Sequence, residues 1–152
     1  MINDIALGGG IGALLALVLS IPALVHEMRR RHHGHPLLID IQDFAGKKLS
    51  DRESFALGLL FHLVLGLAFG ALYPFNPGVW SWMGGAYGLV SVMTYGAALY
   101  LIANLIVFPF MGLGAFGTKE DTWVWLETAV TMILLVIGYV WVVQWFQPSW
   151  FM

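Results

Sequence analysis

The chain has 152 residues, of which 59% are hydrophobic and 11% are charged, and its mean hydropathy is +0.80. Charged residues make up about 25% of an ordinary soluble domain, so the composition indicates a single integral membrane domain over residues 1–152. The net charge of −2 gives no reason to expect a nucleic-acid partner. Cysteine is absent, which excludes disulfides, thiol catalysis and thiolate metal sites.

Four apolar segments are long enough to cross the hydrocarbon core as helices, which takes about 20 residues. They cover approximately residues 5–25, 55–75, 80–110 and 123–145. We therefore predict an all-α fold, a four-helix transmembrane bundle that runs up and down, with a long first loop over residues 26–54. The third segment exceeds one straight crossing, so either its helix is tilted or it ends near Pro109 and continues as an interfacial stretch over residues 110–116.

The first segment is predicted to be a retained helix rather than a cleavable signal. No positive charge precedes it, and a basic cluster of Arg29, Arg30 and Arg31 follows it. We expect these arginines to bind anionic lipid headgroups. Four histidines crowd the same region, namely His26, His32, His33 and His35. They match no closed metal-site pattern, and His62 lacks an intramembrane mate for haem, so we predict no metal or cofactor.

Basic residues predict the orientation of the chain in the membrane. The first loop carries Arg29, Arg30, Arg31, Lys47, Lys48 and Arg52, and the third loop carries Lys119, whereas the second loop, residues 74–78, has none. This predicts that loops one and three are cytoplasmic and that both termini lie on the outer side of the cell inner membrane. Tryptophans at the predicted interfaces agree, with Trp80, Trp82, Trp141 and Trp145 on one side and Trp123 and Trp125 on the other.

Two features of the first loop stand out. Residues 37–44 mix apolar and acidic side chains, which favours a stretch that lies on the membrane surface or docks on a partner, or else a simple connector. The motif from Ser50 to Glu53 is a capping box, which predicts that the second helix begins immediately after it.

Small residues recur every four positions in the second segment and line one face of the predicted helix. Glycines at this spacing let another helix backbone approach closely, either within the bundle or between protomers. The predicted packing positions are Gly8, Gly12, Gly58, Gly66, Gly70, Gly84 and Gly88.

An ionisable residue on this same face, His62, is costly inside a membrane unless it has partners. Depth, counted at about 1.5 Å per residue, predicts an intramembrane polar cluster of His62, Tyr100, Asn104, Glu127 and Thr131. Such a cluster would pass protons or hold a cation or a small polar substrate. Alternatively, His62 only bonds between helices and Glu127 reaches the interface by snorkelling.

Three short motifs carry a resemblance to a known family. His62-x-x-x-Gly66-x-x-x-Gly70-x-x-Tyr73, then Gly84-Gly-Ala-Tyr-Gly88, then Pro109-x-x-Gly112-Leu113 resemble the uncharacterised small inner-membrane proteins grouped with the YagU-like domain-of-unknown-function families. The likeness covers roughly residues 56–140. The last segment departs from it, because residues 127–138 contain no histidine. The resemblance implies a four-helix membrane fold and no established activity.

No catalytic motif is evident in the sequence, so we expect no enzyme activity. Packing motifs outnumber intramembrane polar groups, which favours a structural or accessory subunit that associates through glycine faces within a membrane complex. Membrane lipids and a membrane-protein partner or a second copy of the chain are the expected partners. The alternative is a small oligomeric proton- or ion-linked transporter or channel that uses His62 and Glu127.

Overall fold

A computed structural model of the chain describes residues 2–28, 41, 43–44, 47–75, 83, 87–119 and 123–146. Several predicted features lie outside the described residues: Arg29, Arg30, Arg31, His32, His33, His35, Trp80, Trp82, Gly84 and most of residues 37–44.

Four helices are long and apolar enough to cross a membrane. They are span 1, Ile2–His26; span 2, Asp51–Leu72; span 3, Leu89–Phe110; and span 4, Val124–Trp145. The predicted all-α, four-helix membrane bundle is therefore confirmed, and the chain is a multi-pass membrane protein. Within the described residues, strands are confined to a short antiparallel pair, β1 (Asp43–Phe44) and β2 (Lys47–Lys48), which lies just before span 2.

Span 1 is broken near its end. It consists of α1 (Ile2–Leu19) and α2 (Ile21–Met28), which meet at Ser20. The backbone N–H of Ser20 donates to the Ala16 carbonyl at 3.0 Å and its hydroxyl donates to the same oxygen at 2.8 Å. Pro22 has no N–H to donate, so the regular hydrogen-bond ladder is interrupted at this point.

Span 2 is a single helix, α3 (Asp51–Leu72), followed by a 3-10 turn at Tyr73–Phe75. The predicted capping box is present at its start. The Glu53 carboxylate accepts the backbone N–H of Ser50 at 2.9 Å and the Ser50 hydroxyl at 2.8 Å. This arrangement satisfies donors at a helix end that would otherwise face the membrane surface unpaired.

Span 3 begins later than the sequence predicts, at Leu89 rather than near residue 80. Tyr87 adopts φ 62° and Gly88 is extended, with φ −70° and ψ 152°, so the helix cannot continue back through them. From Leu89 the span comprises α4 (Leu89–Ile102), a π-helical turn (Ala103–Val107) and α5 (Phe108–Phe110).

At its other end span 3 stops at Phe110, directly after Pro109. This corresponds to the second of the two predicted alternatives for the long segment. Turns follow, with a 3-10 turn at Ala115–Gly117, and span 4 is the single helix α6 (Val124–Phe146).

The spans pack unevenly. Span 1 packs along span 2, span 3 packs on span 4, and spans 1 and 4 join the two pairs. In the described part of the chain, the backbone of span 2 lies close to that of span 1, whereas span 2 meets spans 3 and 4 mainly through side chains such as Phe69. The bundle therefore has an open side, where a cleft separates span 2 from the other pair.

A small apolar cluster seals the end of the bundle where span 3 ends and span 4 begins. Phe108, Leu113 and Val124 are buried there together with Ile41 of the first loop, which is fully buried. Ile41 belongs to the stretch predicted to lie on the membrane or dock on a partner, and its side chain instead packs inside its own chain.

Candidate functional site

The glycines of spans 1 and 2 form a close antiparallel contact. A Cβ atom built on Gly8 or Gly12 would collide with the carbonyl oxygens of Gly70 and Gly66, respectively. The two backbones can approach this closely only because these four positions lack side chains. These four glycines contact one another within the chain, so this face is not available to another protein.

His62 lies one turn from this contact and bonds across it. Its Nε2 atom is 3.0 Å from the carbonyl oxygen of Ala16 in span 1. A carbonyl oxygen can only accept, so Nε2 carries the proton and donates it. The same oxygen also accepts from Ser20, so His62 adds a third donor at the break in span 1.

The cleft beside span 2 has a volume of about 210 Å³. Its walls include Gly58 and His62 from span 2, and Glu127, Thr128 and Thr131 from span 4. The hydroxyl of Tyr139 in span 4 lies 3.5 Å from the Gly70 carbonyl oxygen of span 2. Glu127 and Thr131 lie one turn, about 6 Å, apart on span 4, with Glu127 nearer the start of that span.

The structure thus brings three of the five predicted cluster residues to one cavity, namely His62, Glu127 and Thr131. Tyr100 and Asn104 do not join them, because span 3 lines the cleft with a neighbouring face that carries Leu99, Ala103 and Val107.

The hydroxyl of Tyr100 donates to the Trp125 carbonyl at 3.1 Å, and its ring lies near Phe116, with 6.4 Å between ring centroids. Asn104 is fully buried and its amide nitrogen donates to the Tyr100 carbonyl at 2.8 Å. Its Oδ1 atom has no hydrogen-bond partner among the described residues. Asn104 is therefore only half satisfied, at the π-helical turn of span 3.

The opposite end of the bundle holds a set of aromatic residues that sequence reasoning did not identify as a site. We call it the tyrosine end, and it comprises Phe69, Tyr73, Tyr87, Tyr95 and Tyr139 with Ser91. Neighbouring ring centroids are 5.0 Å apart for Tyr73 and Tyr87, and 5.1 Å apart for Phe69 and Tyr95.

A directed chain of hydrogen bonds crosses the tyrosine end. The backbone N–H of Tyr87 donates to the Tyr73 hydroxyl at 3.0 Å, and the Ser91 hydroxyl donates to the Gly88 carbonyl at 3.0 Å. Since the Ser91 proton is used there, the Tyr73 hydroxyl donates to the Ser91 oxygen, at 2.7 Å. These bonds hold Tyr87 in its left-handed conformation and fix where span 3 begins.

Two further tyrosines of this end bond to backbone carbonyls of span 2. Tyr95 donates to Phe69 at 2.8 Å, and Tyr139 approaches Gly70 at 3.5 Å. The Gly70 carbonyl would normally accept the N–H four residues on, but that residue is Pro74. A sequence signal for this end did exist, because a tyrosine within an apolar span needs a partner for its hydroxyl.

The Tyr87 hydroxyl of the tyrosine end is neutral at physiological pH. Burial raises the pKa of the Tyr87 hydroxyl above its ordinary value, and the nearby Asp4 carboxylate and Tyr73 raise it further. The Tyr87 hydroxyl therefore stays protonated and neutral at physiological pH.

Comparisons with protein-family models, with curated proteins and with solved structures give no match for this chain. The resemblance to YagU-like families stays a prediction. In the described part of the chain no three histidine, aspartate or glutamate side chains come together around a metal position. The cleft is thus the place where an apolar cavity and intramembrane polar groups coincide.

Proposed function

We propose that this protein is a non-catalytic accessory subunit of a complex in the cell inner membrane, and that a transmembrane helix of its partner docks between spans 3 and 4. The supporting observation is a groove of about 320 Å³ on the side of these spans that faces away from the cleft. Small residues line it, namely Gly96, Ala97 and Ala129.

The chemistry of this groove suits a helix. Small residues let a second helix backbone come close, which is the main source of helix association in lipid. Exposed apolar side chains border the small residues, with Met93 at 50%, Ile133 at 52% and Ile137 at 53% exposure.

The sequence-based expectation was association through the glycine faces of the first three helices, which carry Gly8, Gly12, Gly58, Gly66, Gly70, Gly84 and Gly88. Because Gly8, Gly12, Gly66 and Gly70 already contact one another, the proposed partner uses Gly96, Ala97 and Ala129 instead. The proposed accessory role stays the same, and the proposed docking face moves to the groove between spans 3 and 4.

The experiment is native mass spectrometry of the protein extracted gently from its own membrane. We expect a stoichiometric complex with a larger membrane protein. Ala97→Leu fills the groove at an exposed position and should release the partner. Ala56→Leu makes the same change on an exposed position of span 2, outside the groove, and should retain it.

Three outcomes would overturn the proposal. They are a wild-type chain found without a larger partner, a complex built only of copies of this chain, and equal partner retention by the Ala97 and Ala56 variants.

A second candidate function is a small oligomeric proton- or ion-linked transporter. The observation that favours it is that His62 and Glu127 line the same cleft. In liposomes, His62→Ala and Glu127→Gln should each abolish flux, whereas Leu101→Ala on an exposed position should not. Wild-type flux in both cleft variants would exclude this path, and thermal unfolding of each variant checks that lost flux does not reflect lost folding.

A further inference from the structure

The cleft beside span 2 is long and changes in polarity along its length. Its lining extends from Gly58 to Leu72 of span 2, which at 1.5 Å per residue is about 21 Å. Polar groups are confined to the half near Gly58, and the other half is lined by side chains such as Leu65, Leu99 and Leu135. A cavity of this shape fits a molecule with one polar head and one hydrocarbon chain.

The polar half offers hydrogen-bond acceptors. Because Nε2 of His62 donates to Ala16, Nδ1 of the neutral ring is an acceptor. The Thr128 hydroxyl donates its proton to the Val124 carbonyl at 2.7 Å, which leaves its oxygen lone pairs for a ligand. The Glu127 side chain also lines this half, and its carboxylate form has acceptors only.

The charge of the lining points the same way. Among the described residues that line the cleft, Glu127 is the single carboxylate, and none is lysine or arginine. An anionic head would meet a like charge without a basic partner, whereas a cationic donor would meet acceptors. A primary ammonium group carries three donors and a positive charge at neutral pH.

We infer that the cleft binds an amphipathic primary amine, with its ammonium group at Glu127, Thr128 and His62 and its hydrocarbon chain along the apolar half. A phosphate head would meet no basic side chain among the described lining residues. This site is separate from the proposed helix-docking groove, so either proposal can fail without the other.

The test uses the full-length protein in phosphatidylcholine nanodiscs, whose headgroup has no N–H donor. Three probes with the same chain are added in turn, namely dodecylamine, dodecanol and dodecanoate. Native mass spectrometry counts the bound probe, after subtraction of the partition into empty nanodiscs. We expect dodecylamine to bind about tenfold more tightly than dodecanol, and dodecanoate to bind most weakly.

Two variants locate the head and the chain of the ligand. Glu127→Gln should reduce the affinity for dodecylamine about tenfold, to that for dodecanol, and leave the affinity for dodecanol unchanged. Ile102→Trp narrows the cleft and should weaken the binding of all three probes. Its control is Leu101→Trp, since the two neighbours are equally exposed, at 48% for Leu101 and 47% for Ile102, but only Ile102 lines the cleft.

The inference is overturned if dodecanoate binds as tightly as dodecylamine, if Glu127→Gln keeps the preference for the amine, or if the two tryptophan variants bind alike. Thermal unfolding without probe shows whether each variant is folded, and a Glu127→Asn variant replaces Glu127→Gln if the latter is not.

Discussion

The two halves of the bundle differ in how completely their polar groups are hydrogen-bonded. At the tyrosine end, the hydroxyls of Tyr73 and Tyr95 have close partners on another span, and the Tyr73 oxygen both donates and accepts. In the half that holds the polar part of the cleft, His62 bonds to one carbonyl and Asn104 keeps an unpartnered oxygen among the described residues. These polar groups of the first half are satisfied, whereas those of the second half are satisfied only in part.

This difference indicates where the fold is stabilised and where binding is available. Buried polar groups that are fully satisfied specify one packing, whereas partly satisfied groups cost stability and persist where they serve another purpose. We therefore expect substitutions to lower the free energy of unfolding most at the glycine contact and the tyrosine end, and least around the cleft.

The largest effect is expected at the contact between spans 1 and 2. Gly12→Ala places a methyl group against the Gly66 carbonyl, so the helices must separate, at a cost of about 3 kcal/mol. The measurement is unfolding of the purified protein in mixed detergent micelles.

Gly10→Ala is the matched control, because a Cβ at Gly10 meets nothing within 4 Å. It should be neutral or stabilise the helix by up to about 1 kcal/mol. Similar losses in the two variants would mean that the close contact does not determine stability.

A smaller effect is expected from the hydrogen-bond chain of the tyrosine end. Tyr73→Phe removes both the acceptor for the Tyr87 N–H and the donor to Ser91, and should cost about 2 kcal/mol. Tyr139→Phe removes only a 3.5 Å contact, at the outer limit for a hydrogen bond, and should cost much less. Thermal unfolding of both variants is the measurement. A larger loss of stability for Tyr139→Phe than for Tyr73→Phe would contradict this prediction.

His62→Ala should lower the free energy of unfolding by only about 1 kcal/mol. The Ala16 carbonyl keeps two donors from Ser20, and the rest of the ring faces the cleft rather than a packed core. A loss as large as that of Gly12→Ala in the same unfolding assay would place His62 among the residues that hold the fold together.

The smallest effect is expected at Asn104, and it can have the opposite sign. Asn104→Leu removes a buried oxygen that has no partner in the described part of the chain, together with one bond to the Tyr100 carbonyl. The Tyr100 carbonyl still accepts the backbone N–H of Ala103, so an apolar side chain of similar size at position 104 should be neutral or slightly stabilising. A loss above about 2 kcal/mol in thermal unfolding would show that the oxygen is satisfied after all.

Much of the fold follows from local sequence. Span 2 begins after Ser50 because the capping box acts between neighbours in the chain. Span 3 ends at Phe110 because Gly112 adopts φ 88° and the N–H groups of Gly112 and Leu113 donate to the Pro109 and Phe108 carbonyls. The start of span 3 was misplaced, since the apolar run continues back to Trp80. Among the described residues, the contact of Tyr87 with Tyr73, distant in the chain, determines where the helix begins.

The candidate site was predictable in part. Depth along each helix predicted that His62, Glu127 and Thr131 lie at a similar level, and all three line one cavity. It could not separate Tyr100 and Asn104 from them, because depth fixes the level of a residue but not the rotation of its helix. Depth also could not identify the hydrogen-bond partner of His62, since every residue has a backbone carbonyl and the sequence does not show which one is near.

The sequence by itself determined that the chain crosses the membrane as four helices, because lipid forces every span to satisfy its backbone within the helix, and only long apolar segments can do so. Tertiary structure decided that span 2 packs closely on the backbone of span 1 and meets spans 3 and 4 mainly through side chains. The physical reason is that lipid solvates apolar side chains as well as protein does. The pairing of helices therefore depends on the fit between backbones at Gly12 and Gly66, and the poorer fit elsewhere leaves the cleft open.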